Sequence, residues 1–142
     1  MQPPRDPGYA RLLADSFARL TGDDLGDPWT RPDPIVSHGT EPDPIFRWAN
    51  PAALDLWEMD WHSFTRLPSR QSADDVAEIQ TDRARLLALA LKQGWVSGYR
   101  GVRVSATGRR FAIDDTVLWT VRDAAGVIHG QAALIRRVQR LD

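Results

Sequence analysis

Cysteine is absent from this sequence of 142 residues. Disulfides, thiolate metal sites and a thiol nucleophile are therefore excluded, and the absence is typical of proteins in a reducing compartment such as the cytoplasm. An excess of charge of either sign is absent too, since the formal net charge is −1 and the lysines and arginines are spread along the chain. We therefore expect no direct binding of nucleic acid and no basic membrane-surface helix.

Long hydrophobic runs are also lacking. The N-terminal stretch MQPPRDPGYARLL has no apolar segment of the kind found in signal peptides, and no run approaches the length that crosses a bilayer. The chain is long enough for one compact domain with a sizeable core. These observations predict a soluble, cytoplasmic protein without membrane contact.

A doubled proline-led tetrapeptide is the clearest local pattern that is present: PDPI occurs at 32–35 and again at 42–45. Proline fixes φ near an extended value and biases the preceding residue toward the β region. The residues that begin at the isoleucine of each copy, 35–38 and 45–48, are rich in β-branched or aromatic side chains. A glycine at position 39 begins a turn signal between them. The repeat therefore predicts a β-hairpin.

Two helices are predicted where a capping residue precedes proline. Asp6 begins an amphipathic helix that ends at Gly22, and Asn50 begins a shorter helix. The stretch 22–34 is rich in glycine, proline and aspartate, which is typical of a linker, and Trp29 is its apolar anchor.

The second half of the chain predicts a long helix followed by strands. Ser72 is expected to cap the helix, with Asp74 and Asp75 in its first turn, and Gly94 is expected to end it. Three strands separated by two turns then form a meander. One face of the middle strand is expected to carry Phe111, Ile113, Val117, Trp119 and Val121.

The order of these elements predicts an α+β fold: a five-stranded antiparallel sheet with helices on one face, plus an N-terminal flanking helix. This order resembles the PAS fold, and the local match is best in FRWANPAALDLWEM, residues 46–59. The resemblance is closer still to the MEKHLA domain, a PAS-related module. The motifs that carry it are SHGTEPDPIF (37–46), ALDLWEMDW (53–61), LPSR (67–70), GVRVSATGRRF (101–111) and GQAA (130–133). We divide the chain into an N-terminal helix and linker, residues 1–30, and a PAS-like MEKHLA domain, residues 31–138.

PAS-like domains bind small molecules, flavin or haem between sheet and helices, or serve as dimerisation modules. The resemblance therefore implies a sensory or small-ligand-binding module that has no output domain of its own and signals through association with a separate partner. Because cysteine is absent, the covalent flavin adduct of light-oxygen-voltage domains is excluded, whereas a non-covalent flavin or another planar small molecule stays open. We also expect a homodimer that uses the apolar stripe of the N-terminal helix, formed by Leu13, Phe17 and Leu20.

Five side chains are candidates for lining a ligand cavity: Trp48, Trp57, Tyr99, Trp119 and Gln131. Gln131 lies on the last predicted strand, where flavin-binding relatives of the PAS class use a glutamine. In the alternative interpretation, the six tryptophans of the chain fill the core.

Asp115 and Arg70 are two further candidates for the ligand-binding site. Strand alternation points Asp115 into the core, which is costly unless it pairs with Arg103 or Arg110, or unless a bulge turns it outward. A buried pair would be either structural or the polar end of a pocket. Arg70 follows a proline-containing loop, where it would hold a ligand carboxylate or cap a helix C-terminus.

Two other functions stay open. A small enzyme of the cone-shaped α+β type would use His129 and Asp115 as a general-base pair, although such folds place their long helices before most of the sheet. The other alternative function is that of a pure dimerisation module with a filled core.

The histidines give no indication of a metal site, because none has metal-ligand spacing. His62 stays open as an axial haem ligand, and His38 is expected to hydrogen-bond in the hairpin.

Overall fold

The computed structural model of the protein describes residues 3–73 and 76–141. Within them lie four α-helices: Pro7–Thr21 (α1), Pro51–Trp57 (α2), Trp61–Phe64 (α3) and Ala77–Gln93 (α4). A single 3₁₀-helical turn covers Ser69–Ser72. The strands are Ile35–His38 (β1), Phe46–Ala49 (β2), Trp95–Val104 (β3), Arg110–Arg122 (β4) and Ile128–Arg140 (β5). No helix in this part of the chain is long and apolar enough to cross a membrane.

The five strands form one antiparallel sheet in the order β2-β1-β5-β4-β3. The predicted hairpin is confirmed as β1 and β2, and the Gly39 amide donates to the Ile45 carbonyl at 2.9 Å where the chain turns. β1 pairs in addition with β5, with His38 opposite Gln131. The proline-led hairpin and the last three strands therefore belong to one sheet.

Gly130 allows β1 to approach β5 closely. Its φ is 155°, and a Cβ atom at this position would lie 1.9 Å from the carbonyl oxygen of His38. Any residue other than glycine would displace β1 from β5. The glycine of the GQAA motif therefore fixes where His38 lies in the sheet.

The Asn50 side chain holds three segments together. Its Oδ1 atom accepts from the amides of Ile35 and Ala53, each at 3.0 Å. Its Nδ2 atom donates to the carbonyls of Pro28 at 3.0 Å and Asp33 at 2.9 Å. Asn50 thus caps α2, as the sequence predicts, and it also ties the linker to β1.

The start of α4 differs from the prediction. The helix begins at Ala77 without a side-chain cap, because Ser72 belongs to the 3₁₀-helical turn, where its hydroxyl donates to a carbonyl at 2.6 Å. Asp74 and Asp75, expected in the first turn, lie outside the described residues. The helix then runs unbroken to Gly94, which ends it as predicted.

α1 covers one face of the sheet, which we call the α1 face. The Asp6 side chain accepts from the Tyr9 amide at 3.3 Å to begin the helix, and Gly22, with φ 80°, ends it, both as predicted. Buried side chains of α1, the linker and the sheet form one cluster on this face: Tyr9, Leu13, Phe17, Leu25, Trp29, Ile35, Trp48, Val117, Trp119, Val121 and Leu134.

The opposite face, which we call the α4 face, is covered by α2, α3 and α4. Its buried cluster comprises Val36, Phe46, Ala53, Leu54, Trp57, Phe64, Ala90, Tyr99, Phe111, Ile113, Leu118 and Ile135. The predicted fold class is therefore confirmed: an α+β fold with a five-stranded antiparallel sheet, helices on one face and a flanking N-terminal helix.

β4 changes face along its length. Phe111 and Ile113 pack on the α4 face, whereas Val117 and Trp119 pack on the α1 face. Between them Asp115 has φ 47°, a left-handed conformation that interrupts the alternation of side chains along the strand. The prediction that these apolar residues share one face is therefore wrong.

Candidate functional site

A cavity of about 50 Å³ lies on the α4 face, between α4 and the sheet. Its apolar lining residues are Val36, Phe46, Trp57, Leu87, Ile113, Leu118, Ala132, Ala133 and Ile135. Its polar lining residues are Ser37, His38, Ser69, Ser72, Arg83, Tyr99, Arg103 and Gln131. A few polar groups that converge within an apolar wall are typical of small-molecule sites.

Two arginines meet at this cavity without a carboxylate partner. Arg103, only 7% exposed, donates to the Tyr99 hydroxyl at 2.6 Å and to the Val102 carbonyl at 2.9 Å. Arg83 donates to the Ser69 hydroxyl. Among the described residues, no aspartate or glutamate forms an ion pair with either guanidinium group. Both cations are therefore hydrogen-bonded to neutral oxygens.

The two guanidinium groups repel each other across a partly desolvated space. Burial and the positive charge of Arg103 lower the pKa of Arg83 to about 10. Arg83 therefore stays protonated near neutral pH. Asp43 has the opposite effect on this pKa, but its carboxylate pairs with Arg70 at 3.2 Å. An anion bound in the cavity would offset the repulsion.

His38 presents an unused acceptor at the cavity. Its Nδ1 atom lies 3.0 Å from the Gly39 carbonyl, which confirms the hydrogen bond expected in the hairpin. Because a carbonyl only accepts, Nδ1 carries the proton in the neutral ring and Nε2 is left as an acceptor. Nε2 is buried and has no hydrogen-bond partner in the described part of the chain. Burial also lowers the pKa of His38, so that the ring is neutral at pH 7.

Three of the predicted lining residues lie at this cavity. The Trp57 indole donates to the Ser72 carbonyl at 3.3 Å. Tyr99 is placed by its bond with Arg103. The Gln131 amide donates to the Leu87 carbonyl at 2.8 Å and so links β5 to α4. Their geometric placement agrees with the sequence prediction, and their contact with a ligand stays a prediction.

Trp48 and Trp119 lie on the other side of the sheet and do not line the cavity. The Trp48 indole donates to the Arg5 carbonyl at 3.1 Å, and the Trp119 indole donates to the Ser16 hydroxyl at 3.0 Å. Irregular pairing displaces both from the expected face: β2 shifts register beside His38, and β4 is interrupted at its left-handed residue. These two tryptophans fill the core, as the alternative interpretation has it.

Asp115 and Arg70 also lie away from the cavity. The Asp115 side chain is 50% exposed and lies 4.0 Å from Arg136, not beside Arg103 or Arg110. Its left-handed backbone turns it outward, so the bulge expected as one alternative is the one observed. Arg70 is 54% exposed and pairs with Asp43 in the β1–β2 turn, and its side chain makes no helix-capping hydrogen bond within residues 3–73 and 76–141.

The predicted pair of His129 and Asp115 is not formed. His129 lies 2.9 Å from the Asp123 carboxylate in the turn before β5, and the short distance lowers the pKa of Asp123. His62 is exposed on α3 and contacts Arg66 at 2.9 Å, so it does not face the cavity as an axial ligand would. Within residues 3–73 and 76–141, no group of three metal-ligating side chains is found.

The sequence does not predict Arg83, Arg103 and His38 as cavity residues. The helical spacing does indicate the place of Arg83. It lies four residues after Ile79 and four residues before Leu87, and this spacing places a cation on the apolar face of α4. The sequence suggests Arg103 only as a partner of a buried aspartate. The environment of His38 depends on the approach of β5 and α4, which no local pattern reveals.

Comparison with known proteins gives a family and a fold. The sequence model of the MEKHLA domain matches residues 8–140. No curated protein sequence matches the chain. Among solved structures, the PAS domain of a protein from Colwellia psychrerythraea has a TM-score of 0.63 at 14% identity, over 77% of this chain and 88% of that one. The light-state dimer of the fungal blue-light photoreceptor Vivid has a TM-score of 0.66 at 16% identity, over 96% and 97%. At such identities the likeness shows the fold alone.

Proposed function

Because the chain belongs to the MEKHLA domain family, which shares the PAS fold, we propose that it is a sensory module that binds a small molecule in the cavity on the α4 face. The observation that carries this proposal is the convergence of polar groups in an apolar wall, among them the buried Arg103 and the half-buried Arg83, neither of which has a carboxylate partner in the described chain. Each of the five motifs that resemble the family contributes lining residues, from Ser37 in the first to Ala133 in the last. All five motifs therefore contribute to the cavity wall.

The size of the cavity limits the ligand. Small-molecule pockets commonly measure about 300–1,000 Å³, and one water needs about 10–15 Å³. A cavity of about 50 Å³ therefore suits a ligand of a few non-hydrogen atoms. Flavin is a candidate because a flavin analogue was used to study the mechanism of a light-oxygen-voltage domain of similar fold. The residues present do not fit it, because the cavity is too small and Trp48 and Trp119 lie on the opposite face.

We propose that a bound ligand changes the position of α4. The hydrogen bond from Gln131 to the Leu87 carbonyl joins this helix to β5 beside the cavity. If this contact has two geometries, a ligand that binds one of them better increases the population of that geometry. The resulting change in the position of α4 then alters association with a separate partner protein.

A homodimer stays a proposal, supported by the dimer named for Vivid. The surface predicted for it is wrong, because Leu13 and Phe17 are buried against the sheet of their own chain. A dimer would therefore use another surface, and light scattering at increasing concentration tests it.

The cytoplasmic location, supported by the absence of cysteine, and the division into residues 1–30 and 31–138 stay proposals as well.

A fragment screen followed by NMR tests the ligand-binding function. Small acids, alcohols, amides and azoles are added to ¹⁵N-labelled protein, and the amide signals of Val36, Leu118 and Ile135 report on the cavity. We expect at least one fragment class to shift these signals in a saturable way. Ala133→Leu, which fills the cavity, should abolish the shifts, while Ala124→Leu in an exposed turn should not. Absence of any saturable shift at these residues would refute the function.

A further inference from the structure

The cavity brings together two cations without a carboxylate partner and one buried acceptor without a hydrogen bond, all within the described chain. The guanidinium groups of Arg83 and Arg103 bond to hydroxyl and carbonyl oxygens. The Nε2 atom of His38 is buried without a partner. The charge of Arg83 acts on His38, and the charge of Arg103 acts on Arg83. All three side chains line the same cavity, close enough for these charges to act on one another.

We propose, on the basis of the proposed function, that the ligand is a short-chain hydroxycarboxylate. Its carboxylate accepts from the guanidinium groups of Arg83 and Arg103, whose planar donors match the two oxygens of a carboxylate. Its hydroxyl donates to Nε2 of His38, which supplies the missing partner. Its alkyl part lies against the apolar wall at Val36 and Leu87.

Charge and shape favour a carboxylate over a phosphate. Most of the cavity wall is apolar, and its cationic donors come from Arg83 and Arg103. A carboxylate exposes its oxygens on one side and carries an alkyl group on the other. A phosphate has oxygens on all sides, so several of them would face the apolar wall without a donor. The volume of about 50 Å³ restricts the alkyl part to a short chain.

A titration with matched probes tests the ligand class on the wild-type chain. The probes are 2-hydroxybutyrate, butyrate, 2-hydroxybutyramide and inorganic phosphate, each added at constant ionic strength and followed by the amide signals of Val36 and Ile135. We expect 2-hydroxybutyrate to bind most tightly, butyrate to bind several-fold more weakly, and the neutral amide to bind roughly tenfold or more weakly. Phosphate should not compete with 2-hydroxybutyrate.

Variants assign the roles of the polar groups. Arg83→Gln and Arg103→Gln should each weaken 2-hydroxybutyrate binding roughly tenfold or more, since each removes charge-assisted hydrogen bonds. His38→Leu should remove the preference for 2-hydroxybutyrate over butyrate. Arg85→Gln, an exposed position on the same helix, should leave all affinities unchanged. A one-dimensional spectrum of each variant checks its fold, and the comparison of acid with amide needs no variant.

The outcomes separate the ligand class from the ligand-binding function. Equal binding of the acid and its amide at the cavity would overturn the hydroxycarboxylate while the binding function stands. Phosphate binding as tight as that of 2-hydroxybutyrate would also overturn the carboxylate. If fragments of another chemical class occupy the cavity and none of the acids does, the proposed hydroxycarboxylate class is wrong. If no fragment and no acid shifts the cavity signals, both proposals fail together.

Discussion

Both faces of the sheet are buried, but they differ in whether their buried polar groups have hydrogen-bond partners. On the α1 face three large polar aromatic side chains have hydrogen-bond partners: Tyr9 bonds to the Ser37 hydroxyl at 2.8 Å, and the indoles of Trp48 and Trp119 donate at 3.1 and 3.0 Å. On the α4 face, His38 keeps an unpaired buried nitrogen in the described chain. A core satisfies its polar groups, whereas a binding site leaves some of them for a ligand.

The tryptophans follow the same division. Trp29 and Trp48 contact each other edge to face on the α1 face, with ring centroids 5.9 Å apart, and Trp119 contacts Phe17 at 4.9 Å. Trp57 lines the cavity on the α4 face and contacts Phe111 at 5.3 Å. The aromatic side chains of the α1 face therefore stabilise the fold. We expect substitutions there to lower the free energy of unfolding more than substitutions on the α4 face do.

Replacement of Trp119 should have the largest effect on stability. Trp119→Ala removes a fully buried side chain from the centre of the α1 face and is expected to lower the free energy of unfolding by about 3–5 kcal/mol. Leu87→Ala, at a half-buried position that already adjoins a cavity, should cost less than half as much. Urea denaturation measures both. Similar losses for the two variants would show that the faces do not differ in packing.

Removal of the Ser16 hydroxyl should have the next largest effect. Ser16→Ala leaves the buried Trp119 indole N–H without its acceptor, which is expected to cost about 1–3 kcal/mol in the free energy of unfolding. Ser97→Ala, at an exposed position of β3, should change it by less than about 0.5 kcal/mol. If the two substitutions cost the same, the satisfied hydrogen bonds of the α1 face do not set its stability.

The elements of the fold could be predicted where their signals are local. Asp6 and Asn50 each combine a capping side chain with a following proline, and the structure confirms both helix starts. Each copy of PDPI leads into a short strand, the first at the predicted residues 35–38 and the second at Phe46–Ala49, one residue later than predicted. Such signals act within a few residues of the chain and do not depend on the packing of distant segments.

The faces of the strands could not be predicted, because irregularities in pairing reverse them. Alternation places Trp119 on the same side as Phe111, but the left-handed backbone of Asp115 lies between them. An aspartate adopts this conformation more readily than most residues, yet nothing local requires it to do so. Without the position of the bulge, Trp48 and Trp119 could not be separated from the true lining residues.

Acid should destabilise the protein through His38. Burial lowers the pKa of His38 in the folded state, and the effects of Arg83, which lowers it, and Glu41, which raises it, are smaller. As the pH falls below the unfolded value of about 6.5, the unfolded chain binds a proton that the folded chain does not. Stability should therefore fall by up to about 1.4 kcal/mol per pH unit until the folded pKa is reached.

Denaturation between pH 7.5 and pH 5, roughly bracketing the histidine range, measures this slope. His38→Gln should flatten the slope, while His62→Gln on exposed α3 should keep it. The carboxyl groups with lowered pKa, such as Glu58 and Asp123, lose their contributions at lower pH, below their ordinary values of 4.5 and 3.8. An unchanged slope in His38→Gln would contradict the neutral, buried state of His38 and weaken the contrast between the faces.

Arginine substitutions should give the smallest effects, with opposite signs on the two faces. Arg47 lies with its guanidinium carbon 3.8 Å from the centre of the Tyr9 ring, so Arg47→Met should lower the free energy of unfolding by about 0.5–1 kcal/mol. Arg103→Met removes a buried cation that faces Arg83 and no carboxylate of the described chain, and methionine retains much of its packing volume. We expect a change within about 1 kcal/mol, in the stabilising direction, together with loss of 2-hydroxybutyrate binding. A loss of stability in Arg103→Met larger than that in Arg47→Met would mean that Arg103 serves the fold and that the α4 face is a core like its opposite.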